Sequence, residues 1–248
     1  MKSLKQLPLF LALLAPALIK GQGGSWEVPI DSRTQEGNSQ TVYPFSAGYT
    51  RYQQLNAASD FGSSIGGTVI GPGGVLLRGM YLRLDSPIGF SFGGYATNLQ
   101  VNLSTTLRQP DSLSPVFFDN VGANDQIVFG PATPRLAGDH TGSSPEPWTT
   151  GVLIQFDQPF LYLPTEGNLL LDIRLFNGST AAGFLDAWNR PGDSVSSVYG
   201  DIADLSGTTS TLGISILFSG TVVPEPSTYA LFALGAAALL FLRKKRKS

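Results

Sequence analysis

Five stretches of this chain alternate apolar and polar residues with a period of two, and no other feature constrains its fold as tightly. A period of two places successive side chains on opposite faces of a strand. Met80, Leu82 and Leu84 share one face; Tyr81, Arg83 and Asp85 take the other. Leu99, Val101 and Leu103 alternate with Asn98, Gln100, Asn102 and Ser104, and Ile154 and Phe156 alternate with Gln155 and Asp157. Leu169, Leu171, Ile173 and Leu175 alternate with Leu170, Asp172, Arg174 and Phe176. The last run sets Leu212, Ile214, Ile216 and Phe218 against Gly213, Ser215, Leu217 and Ser219.

Turn clusters separate these runs: Gly71-Pro72-Gly73-Gly74, Gly130-Pro131, Gly142–Pro147, Pro164–Asn168 and Pro191-Gly192-Asp193. With 29 glycines and 17 prolines, the chain is punctuated too often for a mostly helical protein. The pattern predicts an all-β fold, an antiparallel, jelly-roll-like β-sandwich of eight or more strands in two packed sheets. One segment departs from it. In Tyr49–Phe61, Tyr52 and Leu55 are followed by Ala58 or Ser59 at helical spacing, which predicts a short helix near residues 50–60.

Several chemistries are excluded by what the chain lacks. It has no cysteine, so disulfides, thiolate metal sites and thiol catalysis are out. It has one histidine, His140, so a multi-histidine metal site is out as well. Between Gly21 and Leu242 stand eight arginines, no lysine and all 18 acidic residues, a net charge of −10. Such a surface repels phosphate backbones, so no nucleic-acid partner is expected.

The two ends carry a different message. Lys2 and Lys5 precede the apolar run Leu7–Ile19, and small residues follow it through Gly24. That is the layout of a signal peptide, predicted over residues 1–23 as a short helix. At the other end, Val222-Val223-Pro224-Glu225-Pro226 leads into an apolar stretch, Tyr229–Leu242, and then Arg243, Lys244, Lys245, Arg246 and Lys247. A transmembrane helix is predicted over residues 228–242, with the basic tail 243–248 held on the cytoplasmic side. Pro224 and Pro226 predict an extended, exposed linker ahead of it.

This tail resembles the PEP-CTERM sorting signal of exported Gram-negative proteins. Pro224, Glu225 and Pro226 match its motif, and Arg243 opens its basic cluster. The resemblance implies an exosortase, a membrane protease or transpeptidase, as partner. It also implies anchoring in the inner membrane, followed by delivery to the cell surface or extracellular matrix, often alongside exopolysaccharide. A second resemblance, to secreted cargo of the same group, rests on Arg51–Gln54 and Gly167–Arg174 and implies no activity. The expected organisation is a signal peptide at 1–23, a sandwich domain at 24–221 and a sorting signal at 222–248.

Candidate chemistry within the domain is sparse. Gly62-Ser63-Ser64-Ile65-Gly66 has the G-x-S-x-G spacing of a nucleophile elbow, with His140 as the one available base. It sits in a glycine-rich loop, and a connecting loop is the simpler reading. Asp119, Asn120, Asn124 and Asp125 gather hard oxygen ligands suited to calcium, without EF-hand spacing; an Asx turn explains the same residues. Trp148 and Trp188 are the aromatics best placed to stack on a sugar ring, against the plainer reading that they cap the core. No motif selects a pair of carboxylates for glycoside hydrolysis. The expectation is therefore a non-catalytic structural or envelope component without a cofactor. The alternatives are a carbohydrate-binding module for exopolysaccharide and a glycan-active hydrolase or lyase.

Overall fold

The computed structural model describes residues 21–45 and 48–224, with Gly235 beyond them. The predicted signal helix and transmembrane helix lie outside these residues, apart from Gly21–Gly23 and Gly235. Among the described residues no helix is long and apolar enough to cross a membrane.

Fifteen strands run through the described residues: β1 (Gly23–Val28), β2 (Ser39–Thr41), β3 (Thr50–Asn56), β4 (Val75–Leu82), β5 (Phe92–Tyr95), β6 (Leu99–Thr106), β7 (Gln126–Ala132) and β8 (Arg135–Gly138) come first. β9 (Val152–Tyr162), β10 (Asn168–Leu175), β11 (Leu185–Asn189), β12 (Val195–Asp201), β13 (Thr208–Ser210), β14 (Leu212–Ile214) and β15 (Ile216–Val222) follow. A four-stranded sheet has the order β1-β15-β4-β9, and a six-stranded sheet the order β13-β12-β3-β10-β6-β7. Smaller sheets, β14-β11-β2 and β5-β8, close the flanks. All these pairings are antiparallel.

The two large sheets share one core. Trp26, Phe218, Met80 and Ile154 from the first meet Tyr52, Leu103, Leu171 and Ile173 from the second in a single buried cluster. Phe61 packs edge-on against Tyr162 at 4.8 Å and lies 5.8 Å from Phe218, sealing one end of that core. Each such fully buried side chain contributes about 2 kcal/mol through the water it sheds. A second cluster, Leu55, Leu113, Phe117, Leu170 and Val198, lies on the outer face of the six-stranded sheet. It is closed by the segment carrying the 3-10 turn Phe117–Asn120.

The structure corrects three expectations. The helix near residues 50–60 is absent: Thr50–Asn56 is the strand β3, and only Ala58–Phe61 forms a 3-10 turn. β3 lies between β10 and β12, so both its edges are paired, and its two faces are covered by the main core at Tyr52 and by the second cluster at Leu55. Polar Gln53, Gln54 and Asn56 fill those faces, which hides the period of two. The run Leu212–Ser219 is broken at Ser215, and β14 pairs with β11 while β15 pairs with β1 and β4. Gly130-Pro131 lies inside β7 rather than in a turn. β7 is the outer strand of its sheet and its register shifts between Leu99 and Val101, which is where a proline can enter a strand.

Candidate functional site

The point where the chain leaves the domain is built by three segments. β15 runs antiparallel to β1, so the first described residues and the last lie side by side, with Gly23 opposite Thr221. The Val222 N–H donates to the Gln22 carbonyl at 2.9 Å, and the Val223 N–H donates to the Gly74 carbonyl at 2.9 Å. A Cβ added at Gly73 would stand 2.2 Å from the Val223 carbonyl oxygen, so the glycine lets the two backbones touch. Val222, Val223 and Pro224 are half-buried. Half-buried Pro224 is therefore not exposed as expected, because backbone pairing holds the chain to the domain through Val223. Gln22 and Gly23, the end of the predicted leader, take part in the same pairing. Glu225, Pro226 and the basic residues Arg243, Lys244, Lys245, Arg246 and Lys247 lie outside the described residues.

Next to this exit, Ser64 is buried and holds a tight turn. Its hydroxyl oxygen accepts the Thr68 N–H at 2.8 Å, and the Ser64 N–H donates to the Thr68 carbonyl at 2.8 Å. His140 lies at the other end of the domain, where its Nε2 is 2.8 Å from the Ser86 carbonyl oxygen and 3.2 Å from Glu146. Ser64 lines a groove with Arg78 and Gln155, while His140 contacts Ser86 and Glu146, so the two share no neighbour. Ser64 and His140 do not form a nucleophile and base. Glu146 instead organises a loop, accepting the N–H groups of Thr141 and Gly142 and the Thr141 hydroxyl. Burial alone would raise its carboxyl; these hydrogen bonds and nearby His140 outweigh burial and hold it below the usual range.

Two charged clusters are buried that sequence reasoning did not single out. Arg83, on the face opposite Met80, Leu82 and Leu84, is 1% exposed. Its guanidinium contacts Asp186 at 2.6 Å, donates to the Ser32 and Gln35 carbonyls, and lies 4.8 Å from the centre of the Trp148 ring. Glu36, Asp85 and Asp186 bring carboxylate oxygens within 4.8 Å of one another here. The Ser86 N–H and hydroxyl bind Glu36, and the Gly37 N–H and Arg83 bind Asp186, so the cation in this cluster is an arginine. The second cluster lies on the six-stranded sheet. Asp172 of β10 takes Arg51 from β3 at 2.6 Å and Arg174 from its own strand at 2.8 Å. Burial would raise the Asp172 carboxyl, but the two arginines hold it below the usual range. The outward polar positions of the alternating strands were the visible signal for both clusters. Their burial was not visible, because it depends on which loops cover them.

The remaining candidates are dispersed. The Asp119 carboxylate accepts from the Ser114 hydroxyl, and Asn120 bonds Ser114 and Gln53. Asn124 is tied to Thr105, and Asp125 accepts from Asn102. These side chains serve as turn and loop fasteners, and Asp119 and Asn124 line one open pocket with Glu166. Trp188 is 4% exposed and packed into the core, which leaves no open ring face. Trp148 is half-buried, with its ring against the Arg83 guanidinium.

Searches among curated proteins and among solved structures find no match for the chain. One family comparison does match, and it begins on the last residue of β15. Residues 222–247 carry the PEP-CTERM protein-sorting motif, which marks this chain as an exosortase-sorted extracellular protein anchored in the membrane before processing.

Proposed function

We propose that the folded domain is a non-catalytic structural component of the cell surface or extracellular matrix, delivered there by exosortase processing of its tail. The observation that carries this reading is the sorting motif itself, placed directly on the final strand. A structural role is further supported by how the charged and aromatic candidates are used. Arg83, Asp186 and Asp172 tie separate segments together, Glu146 fastens its own loop, and Trp188 fills the core.

Replacing Pro224, Glu225 and Pro226 with alanine in the native host tests the sorting. The expected result is a membrane-retained precursor, seen by mass spectrometry of the termini. Equal processing of variant and wild type would refute exosortase handling. A polysaccharide pull-down in calcium-containing buffer tests the structural role. Retention on any polymer would replace it with carbohydrate binding.

A further inference from the structure

The loop Gly62–Gly74 lies at the chain exit and differs from the rest of the surface. No charged residue occurs from Phe61 to Leu77, in a domain that is strongly acidic elsewhere. Within the loop, Ile65 is 50% exposed and Val69 65% exposed. Their presentation is fixed rather than incidental. The Ser64–Thr68 turn is closed by the hydrogen bonds described above and by a third, from the Gly67 N–H to the Ser64 carbonyl at 3.0 Å. The Ile65 N–H donates to the Ser25 carbonyl of β1 at 2.9 Å, tying the turn to the edge of the four-stranded sheet.

The tail limits how far this loop can be from the bilayer. A Cβ on Gly73 would stand 3.2 Å from the Pro224 carbonyl oxygen, so the loop abuts the departing chain. From Pro224 to the apolar run at Tyr229, five residues span at most about 18 Å even fully extended. With the tail lodged in the membrane, the exit end of the domain faces the headgroups at that range. Of the exposed acids near this end, Asp111 and Glu166 belong to the side of the six-stranded sheet, and Asp31 is paired with Arg190. An anionic bilayer repels that side; on the loop side the nearest charges are cations, Arg33 donating to the Ser63 carbonyl and exposed Arg78 lining one groove with Ile65, and an anionic bilayer attracts them.

From this arrangement we infer that the Gly62–Gly74 loop is a lipid-contact surface, with Ile65 and Val69 entering the headgroup region of the membrane that holds the tail. The contact sets the tilt of the domain, four-stranded sheet toward the lipid, and so presents Pro224–Pro226 to a membrane enzyme in one orientation. Two aliphatic side chains bind a bilayer only weakly by themselves. Tethering by the tail supplies the high local concentration that makes such a contact persistent.

The inference rests on the anchoring reading, and one experiment separates the two. The chain has no cysteine, so a full-length Val69→Cys variant carries a single environment-sensitive fluorophore at the loop. Ile65→Cys is a second reporter, and Tyr95→Cys, at the opposite end of the domain, is the control. Each protein is reconstituted into phosphatidylethanolamine–phosphatidylglycerol vesicles and floated. Co-flotation, with a blue shift and quenching by brominated lipid at positions 69 and 65 but not at 95, is expected. Co-flotation with position 69 as open to aqueous iodide as position 95 would overturn the lipid contact while leaving the anchor intact. Shielding from iodide without quenching by brominated lipid would assign the loop to a protein surface and also overturn it. Failure to float would remove both readings together.

Discussion

Arg51 and Asp172 sit on neighbouring central strands, 121 positions apart in sequence, with Nη2 and Oδ2 2.6 Å apart. The register places Asp172 opposite Gln53 on one side and Asn102 on the other. Gln53 donates to the same carboxylate at 3.0 Å, and Arg174 approaches it along its own strand. The Arg51 guanidinium also lies 4.7 Å from the Phe117 ring centre, which joins this polar cluster to the small apolar one beside it. The cluster thus fastens β3, β10 and the covering turn into one unit.

Asp172→Asn is expected to leave two half-buried guanidinium groups without their anion, costing about 3 kcal/mol as breaking a buried pair does. Urea midpoints at neutral pH read this directly. The wild-type carboxyl is depressed in the fold, so its contribution is present above its unfolded pKa of 3.8 and is lost as pH falls below that. The gap between variant and wild type should therefore narrow under acid.

Asp60 behaves in the opposite sense. It is 3% exposed, and burial pushes its carboxyl up to about 6 despite a hydrogen bond from the Ser194 hydroxyl. A raised acid costs stability where it must ionise, so stability should decline from about pH 4 to pH 7 through this group. Two pKa units correspond to about 3 kcal/mol at most. Asp60→Asn keeps an oxygen to accept from Ser194. It should unfold at higher urea than wild type at pH 7 and match it near pH 4.

Gly73→Ala places a methyl group where the Val223 carbonyl now sits. Backbone cannot give way as a flexible side chain would, so the strand end should detach from Gly74. Limited proteolysis near Val222–Pro224 should speed up, with little change in the global urea midpoint. An unchanged cutting rate would mean that the end of β15 is held by other contacts.

Glu146→Gln should release the loop Thr141–Glu146, since an amide cannot accept all the N–H and hydroxyl donors that converge on the carboxylate. Faster amide exchange at Thr141 and Gly142 checks this. In wild type the same loosening should appear as pH falls below the usual carboxylate range, because the folded carboxyl is depressed.

Strands were legible in the sequence where one face was apolar and the other polar. Leu99–Ser104 and Leu169–Leu175 alternate cleanly and are β6 and β10. β3 was not legible because tertiary covering buries Gln53 and Gln54 on opposite faces, and each finds partners there: Asp172 and Asn120 for Gln53, Tyr52 and Ile214 for Gln54. The break at Ser215 was equally hidden, since alternation continues through it while the pairing partner changes. The sorting motif at 222–247 could be read because its information is order, composition and position rather than packing. The buried ion pairs could not, since Arg83 and Asp186 meet across 103 residues and only the folded chain supplies that closeness.

β15 occupies an inner position of its sheet, zipped to β1 on one side and β4 on the other, and the tail continues it directly. A pull on that tail, with the body of the domain held from the far end, acts along the strand axis. The rungs on both sides then resist in shear together instead of opening one at a time. The last strand is accordingly held stiffly under load, since a force entering at Val222 meets both neighbours of β15 at once.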